Sequence, residues 1–330
     1  MLSTARALLD QGVHVEEYAP MRRDLFAGVD LVHFFGIDSA HCGLAGLLRG
    51  RSVPYVLSPV YYPGAAAESA ADRLLARVPG TTRRALSRFV ARAAALLPNS
   101  RAEASAIRRI WRSPAMSIPV PNGARWSERP DPARFFDRYM RGRIPAGERF
   151  VLSVARLDRR KNTLALLRAA ADAGVFLVLI GAPSVTDPGY ARQVRDEVNA
   201  HPERVLLVGE LPWDAPELEA AYAAAWAHAL VSSFETPGLA SLEAAAHGAN
   251  LVVGDCPPVR EYFDGLATRC RGGDVRAVAD ALRGALSMPR DARGQSAAVR
   301  SRYPWSRTAA ETRAVYERII ADRAGRPAPS

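Results

Sequence analysis

From position 150 onward, short apolar runs alternate with longer stretches in which apolar residues recur at helical spacing. The runs at 150–154, 176–180, 204–208, 228–231 and 251–253 have the length and β-branched content of buried strands. Between and after them, 163–173, 189–200, 216–225, 239–247 and 275–286 carry the helical period. Strand and helix in strict alternation predict a parallel sheet covered by helices on both faces. Before position 150 the same rhythm is weaker: helix 2–10, strands 13–18 and 30–34, helix 39–48 and strand 54–58. An Arg-rich helical stretch at 70–94, a short strand ending at Leu97 and a helix at 101–111 follow. The segment 119–147, interrupted by Pro and Gly, has the composition of a linker.

A chain of 330 residues exceeds one ordinary core and fits two. The pattern therefore predicts an α/β protein of two Rossmann-like, doubly wound domains, residues 1–146 and 147–302, facing each other across a cleft. Ligands of such folds bind at the carboxyl ends of the strands. Because the chain opens on helix 2–10, the strand and loop that ordinarily begin such a domain are expected upstream of Met1.

Composition narrows the partners only slightly. At 48% hydrophobic and 24% charged, the chain is globular, not disordered or fibrous. A net charge of +10 points to an anionic partner: phosphate, nucleic acid or an acidic membrane. Nearly all of that charge is Arg in an Ala-rich chain, so the total is discounted in favour of where the charges sit. No apolar window approaches a membrane span and the start lacks the order of a signal peptide, so a cytoplasmic protein is expected. Cys42, Cys256 and Cys270 are scattered without metal-ligand spacing and read as buried thiols.

Two stretches carry candidate chemistry. In SSFETPGLASLEAAAHG, 232–248, Thr236 suits an N-cap, Pro237 the first helical position and Gly248 the end, predicting a helix over 237–247. Its open amides at Gly238 and Leu239 would attract an anion. Glu243 lies six residues after Pro237, about 9 Å along the axis at ~1.5 Å per residue, close to the span from a nucleotide's diphosphate to its ribose. Glu235 would face the sugar side. A capped surface helix is the plainer alternative, weakened because Glu243 borders the apolar face of Leu239, Leu242 and Ala246. In VLSVARLDRRKN, 151–162, a strand runs into a loop with Arg156, Arg159, Arg160 and Lys161, and Asn162 suits a cap for the next helix. Fixed cations stabilise a departing diphosphate; a solvated basic turn is the alternative.

These residues resemble the retaining nucleotide-sugar glycosyltransferases of group 1, which have the GT-B fold. The resemblance rests on SVARLDRRKN, on GEL at 209–211, and on Glu235 and Glu243 with seven residues between them. LPNS ending at Ser100, VPNGA ending at Ala124 and YPWSRTAAETRAVYERI from Tyr303 extend it over nearly the whole chain. It implies that Arg156 and Lys161 hold the donor diphosphate and that Glu243 holds the ribose. Glu235, the third catalytic position, would meet the donor sugar and phosphate with the backbone of Thr236, Pro237, Gly238 and Leu239. The base would pack near Glu210 and Leu211, Asn122 would contribute to substrate binding, and the helix in 303–330 would cross back to the first domain. It further implies a UDP- or GDP-sugar donor, a glycan or lipid-linked acceptor in bacterial cell-surface polysaccharide or glycolipid synthesis, no metal, no cofactor and no nucleic acid.

Three departures accompany the resemblance. Glu-Thr-Pro-Gly stands where the family commonly has Glu-Gly-Phe-Gly, so Pro237 is expected to remove a phosphate donor. Pro59, Val60 and Tyr61 follow a strand after which many members place a His, and the Gly-rich loop of the first domain is absent. A nicotinamide oxidoreductase lacks support because the chain has no Gly-x-Gly, and a metal-dependent transferase lacks its Asp-x-Asp. A nucleotide-sugar epimerase and a non-catalytic subunit of the same fold stay open. His33 reads as a packed histidine or a cleft residue. Arg73, Arg77, Arg84, Arg88 and Arg92, interleaved with Leu74, Leu75, Val78, Phe89 and Val90, read as a solvated face or as a peripheral contact with an anionic leaflet.

Overall fold

Four short parallel strands, β1 (Val32–Phe35), β2 (Tyr55–Ser58), β3 (Ala95–Leu96) and β4 (Met116–Ser117), lie side by side in chain order in the first of two units. The computed structural model describes residues 1–19, 26–61, 74–75, 77–145 and 147–324. Its first unit is Met1–Gly123 with Trp305–Ser330, and its second is Ala124–Pro304. Residues 13–18, expected as a strand, form none: only Val13 and Val15 pack, beside Ala7 and Leu8, and the polar residues between give no second buried face. The expected long helix at 70–94 is shorter. It runs Thr82–Ala91, started by Gly80 at φ 79 and by Thr81, whose side chain accepts from Arg84 N. Residues 70–73 and 76 of that expectation lie outside the described residues. Helix Arg101–Trp111 stands where the sequence puts it, with Ser100 accepting from Glu103 N.

Within this unit His33 is a packed histidine: Nδ1 meets the Tyr316 hydroxyl at 2.5 Å and Nε2 the Ser58 hydroxyl at 2.9 Å. Burial pushes its imidazole down to about 3, so it stays neutral. Glu103 is fully buried and accepts from the Tyr61 and Asn99 amides. Helix Trp305–Ala324 also belongs here, with Val315 and Ile319 against Val56, Ala95 and Leu97. Among the described residues no helix is long and apolar enough to cross a membrane.

The second unit holds six parallel strands: β5 (Phe150–Val154), β6 (Phe176–Ile180), β7 (Val205–Gly209), β8 (Ala227–Leu230), β9 (Asn250–Gly254) and β10 (Ala267–Cys270). Their order is β10-β9-β8-β5-β6-β7. The four inner strands are buried almost throughout, which is why they read as unbroken apolar runs, while the edges β7 and β10 are half-exposed. β10, with the sequence ATRC, carries no such run and was not expected. Alternate residues feed two cores. Phe150 and Leu152 face Tyr222 and Leu242; Val151 faces Leu166, Leu167, Val278 and Leu282.

Residues 124–145 are not a linker. Helix Pro132–Phe135 packs on helix Pro216–Ala224, and Phe135 and Met140 are buried near Phe150. The division therefore falls after Gly123, not at 146, because apolar anchors inside the Pro- and Gly-rich segment have a core to enter. Cys256 and Cys270 are buried free thiols, whereas Cys42 is half-buried.

Candidate active site at the reversal of strand order

In the second sheet the chain leaves β5 for β6 and β7 on one side, then returns to lay β8 against the other side of β5. Loops after β5 and β8 thus face each other across the carboxyl ends of these strands, the crevice position where such sheets bind ligands. Both stretches singled out in the sequence arrive there.

After β5, Asp158 accepts from Lys161 N at 3.0 Å and starts a short 3-10 turn, Arg159–Lys161. Three arginines of this loop are engaged outward. Arg156 Nε meets Asp158 at 3.2 Å, Arg159 bonds Asp187 at 2.6 Å over the Tyr190 ring, and Arg160 lies over Phe234. Lys161 alone turns inward and pairs with Glu235, the two side chains being 14% and 11% exposed. Ser232 Oγ donates to the same carboxylate oxygen at 2.8 Å. Lys161 is also the single lysine among 44 lysine and arginine residues, a signal in the composition that the motif reading passed over.

Asn162 stands at the N-cap of the following helix, as expected, but its side chain makes no capping bond. It sits in the left-handed region (φ 55, ψ 35), and its Nδ2 instead donates to Val231 O at 2.7 Å and to Ser233 Oγ at 3.0 Å. Two glycines allow the loops to close this tightly. A Cβ on Gly254 would lie 1.9 Å from Ser232 O, and one on Gly272 1.7 Å from Val231 O.

The helix after β8 begins later than expected, at Leu239, and ends at Ala246. Its N-cap is Gly238 at φ 78, not Thr236, and no side chain caps it. Only glycine takes that backbone without strain, and the Leu230 and Glu235 side chains close around it. The first helical bonds run from Ser241 N and Leu242 N to Gly238 O, leaving the Leu239 and Ala240 amides ahead of the ladder. Pro237, lying before the helix, takes no donor from that turn. Leu239 is exposed and does not share the buried face of Leu242 and Ala246.

Further along, Glu243 is half-buried beside Tyr222, whose hydroxyl bonds its carboxylate. Burial pushes the Glu243 carboxyl up to about 7, while Arg125 and the Tyr222 bond pull it down and Glu219 adds to the rise. Arg125 itself donates to Trp213 O; neither Arg125 nor Tyr222 stands in a motif. Glu210 is exposed and Leu211 half-buried just after β7, Leu211 against the core. Asn122 belongs to the first unit. The structure thus joins Lys161, Glu235 and the Gly238 tip, gives Glu243 a separate setting along the same helix, and leaves Arg156 60% exposed. Among the described residues no cluster of three or more His, Cys, Asp or Glu side chains is placed to hold a metal.

The sequence matches the family Glycosyl transferases group 1 over residues 140–302, which contains Lys161, Glu235, Gly238 and Glu243 but not Arg125. No curated protein sequence matches the chain significantly. Among solved structures, a sucrose-phosphate synthase from Thermosynechococcus elongatus has a TM-score of 0.70 at 21% identity, over 90% of this chain and 76% of that one. Anabaena HepE in complex with UDP and glucose has a TM-score of 0.70 at 16% identity, over 95% and 89%. A UDP-forming trehalose-phosphate synthase from Burkholderia xenovorans has a TM-score of 0.68 at 17% identity, over 96% and 78%. At such identities the structures establish the fold, and the family match covers most of the unit that holds the crevice. Residues 140–302 are a group 1 glycosyl transferase domain, and the chain is a glycosyltransferase of the GT-B fold.

Proposed function

We propose that the second unit binds a nucleotide-diphosphate sugar and transfers its hexosyl group, with retention of anomeric configuration, to a glycan or lipid-linked acceptor. In this reading the diphosphate lies over the first turn of helix Leu239–Ala246, where open amides and the helix dipole favour an anion. Lys161 and Arg156 stabilise the charge that grows on the leaving diphosphate. An ammonium has three donors, so Lys161 can meet phosphate oxygens while Glu235 keeps one. Glu235 and the backbone from Thr236 through Pro237 and Gly238 to Leu239 meet the sugar and phosphate. Glu243 accepts the ribose hydroxyls, and the base packs at Glu210 and Leu211.

The bond from the anomeric carbon to the phosphate oxygen breaks, its electron pair leaving with the nucleoside diphosphate. The acceptor hydroxyl attacks from the face just vacated, and its proton passes to the departing phosphate. No metal and no cofactor has a part in this reading. UDP- and GDP-sugars are the donor candidates; two solved relatives carry UDP in their titles, so UDP-sugars are the first probes. The product belongs to cell-surface polysaccharide or glycolipid synthesis on the cytoplasmic side of a membrane. Exposed Arg77, Arg88 and Arg92, with exposed Leu74, Leu75 and Val78, suit a peripheral contact with anionic lipid.

The observation that carries the reading is Lys161, the one lysine of an Arg-rich chain, held at the strand reversal against Glu235 and an uncapped helix tip. A panel of UDP- and GDP-sugars, followed by calorimetric binding and release of nucleoside diphosphate, tests it. Uptake and turnover of one donor is the expected result; failure to bind any member of the panel refutes it.

A further inference from the structure

The loops that carry Lys161 and Glu235 are tied together at the positions immediately beside Lys161 and Ser232. Ser233 N donates to Arg160 O at 2.9 Å, and Asn162 Nδ2 donates to Val231 O at 2.7 Å and Ser233 Oγ at 3.0 Å. Lys161 stands between Arg160 and Asn162. Ser232, which bonds Glu235, stands between Val231 and Ser233. The two ties therefore bracket Lys161 on one loop and, on the other, Ser232, whose hydroxyl bonds Glu235.

Asn162 holds this place at a cost. Its backbone is left-handed, which costs a residue with a β-carbon more than glycine, though Asn less than most. Glycine would accept that backbone freely, and the Asn side chain does not offset the strain by capping the helix. Its contribution is the bridge. The loop after β10 closes over the same bridge, since a Cβ on Gly272 would lie 2.7 Å from Asn162 Nδ2. A lysine ammonium rides on a flexible four-carbon stem and has no directional fork of its own, so its position depends on how firmly its backbone is anchored to the opposite loop.

We propose that Asn162 is a positioning residue for glycosyl transfer, its side-chain bridge to Val231 and Ser233 holding Lys161 opposite Glu235. The link to transfer rests on the donor site proposed above; the bridge itself can be tested without a donor. Lys161 supplies the only side-chain amine of the chain, so acetylation followed by peptide mass spectrometry reads that position directly. Asn162→Gly keeps the backbone and removes the bridge. Asn162→Asp keeps the size and sets an acceptor against Val231 O.

Both variants are expected to speed acetylation of Lys161 by about tenfold, as local opening at the site would. Cys256 and Cys270, buried in the same unit, should stay closed to a thiol reagent in the same samples, which separates loss of the bridge from loss of the fold. Arg112→Gly, relieving a left-handed residue of the first unit at φ 48, should leave Lys161 labelling unchanged. In turnover, Asn162→Gly should lower kcat/KM by about tenfold in the unaltered protein yet by less than about twofold in a Lys161→Ala background, the coupling of residues that act through one another. Unchanged labelling in both Asn162 variants, or faster labelling with undiminished transfer, overturns the proposal. Faster labelling in a protein that turns over no nucleotide sugar at all strikes the donor reading instead and leaves the bridge standing.

Discussion

The Lys161 ammonium and the Glu235 carboxylate pair across the two central strands, β5 and β8, with little of either side chain open to water. Each has lost most of its hydration and depends on the other for compensation. Removing one partner strands the remaining charge, whereas removing both does not.

Glu235→Ala should therefore destabilise the protein by roughly 3–5 kcal/mol, and the double variant Lys161→Met, Glu235→Ala should recover most of that loss. Urea unfolding of the three proteins measures both. A loss below about 1 kcal/mol in Glu235→Ala would mean that water reaches the pair and that it behaves as a surface ion pair.

Lys161 and Arg156 should differ in their share of catalysis. Lys161→Ala is expected to lower kcat by about 10²-fold, the usual scale for a fixed donor at developing charge. Arg156, largely exposed and engaged with Asp158, should give a loss of about tenfold or less on conversion to Ala, because solvent screens its charge. Steady-state kinetics with the donor found in the panel decides. Equal losses would show that the guanidinium turns inward when donor binds.

Glu243 makes donor affinity depend on pH. Its carboxyl is pushed up to about 7, and only the ionised form accepts hydrogen bonds from both ribose hydroxyls. Binding should weaken as pH falls through that value, by about tenfold between pH 8 and pH 6. Glu243→Gln should bind more weakly at pH 8 and show a flat profile. Calorimetry with UDP-glucose suits the measurement because its diphosphate does not titrate in this interval; a flat profile in the unaltered protein removes the ribose role.

Glu103, in the first unit, should contribute stability with the opposite sign. Burial raises its carboxyl from 4.5 to about 7 against the pull of the Tyr61 and Asn99 amides, so the folded state binds a proton that the unfolded state has lost. Its contribution is therefore most favourable below the unfolded value and declines as pH rises from 4.5 through 7. Relative to Glu103→Gln, the unaltered protein should lose on the order of 3 kcal/mol across that window. Thermal or urea unfolding of the pair at pH 5 and pH 8 gives the difference, and parallel curves would show that the carboxylate stays ionised in its pocket.

Much of the second unit was legible because its signals are local. Helix Thr163–Ala173 lies where the apolar period puts it and stops at Gly174 in a left-handed cap. The inner strands announce themselves as runs buried on both faces. β10 gives no such sign, since at the sheet edge Arg269 can point to solvent. In the crevice, the sequence revealed which loops matter but not how their side chains are shared. Thr236 and Pro237 fit a helix start by type, yet the chain needs positive φ at the turn and only Gly238 supplies it cheaply. Asn162 likewise suits a cap by type and is spent on a tertiary bond that spacing cannot reveal. The inward turn of Lys161 depends on Glu235, a partner fixed only when the sheet forms.

Strand order also gives the ion pair a place in time. β5 and β8 are neighbours in the sheet, but β6 and β7 intervene in the chain, and 74 residues separate Lys161 from Glu235. Closing so long an excursion is slow compared with forming any single helix. During refolding the lone amine should therefore remain open to solvent until β8 docks. The moment of its protection marks the docking of β8 on β5, the step at which the ion pair and the central contact of the sheet are gained together.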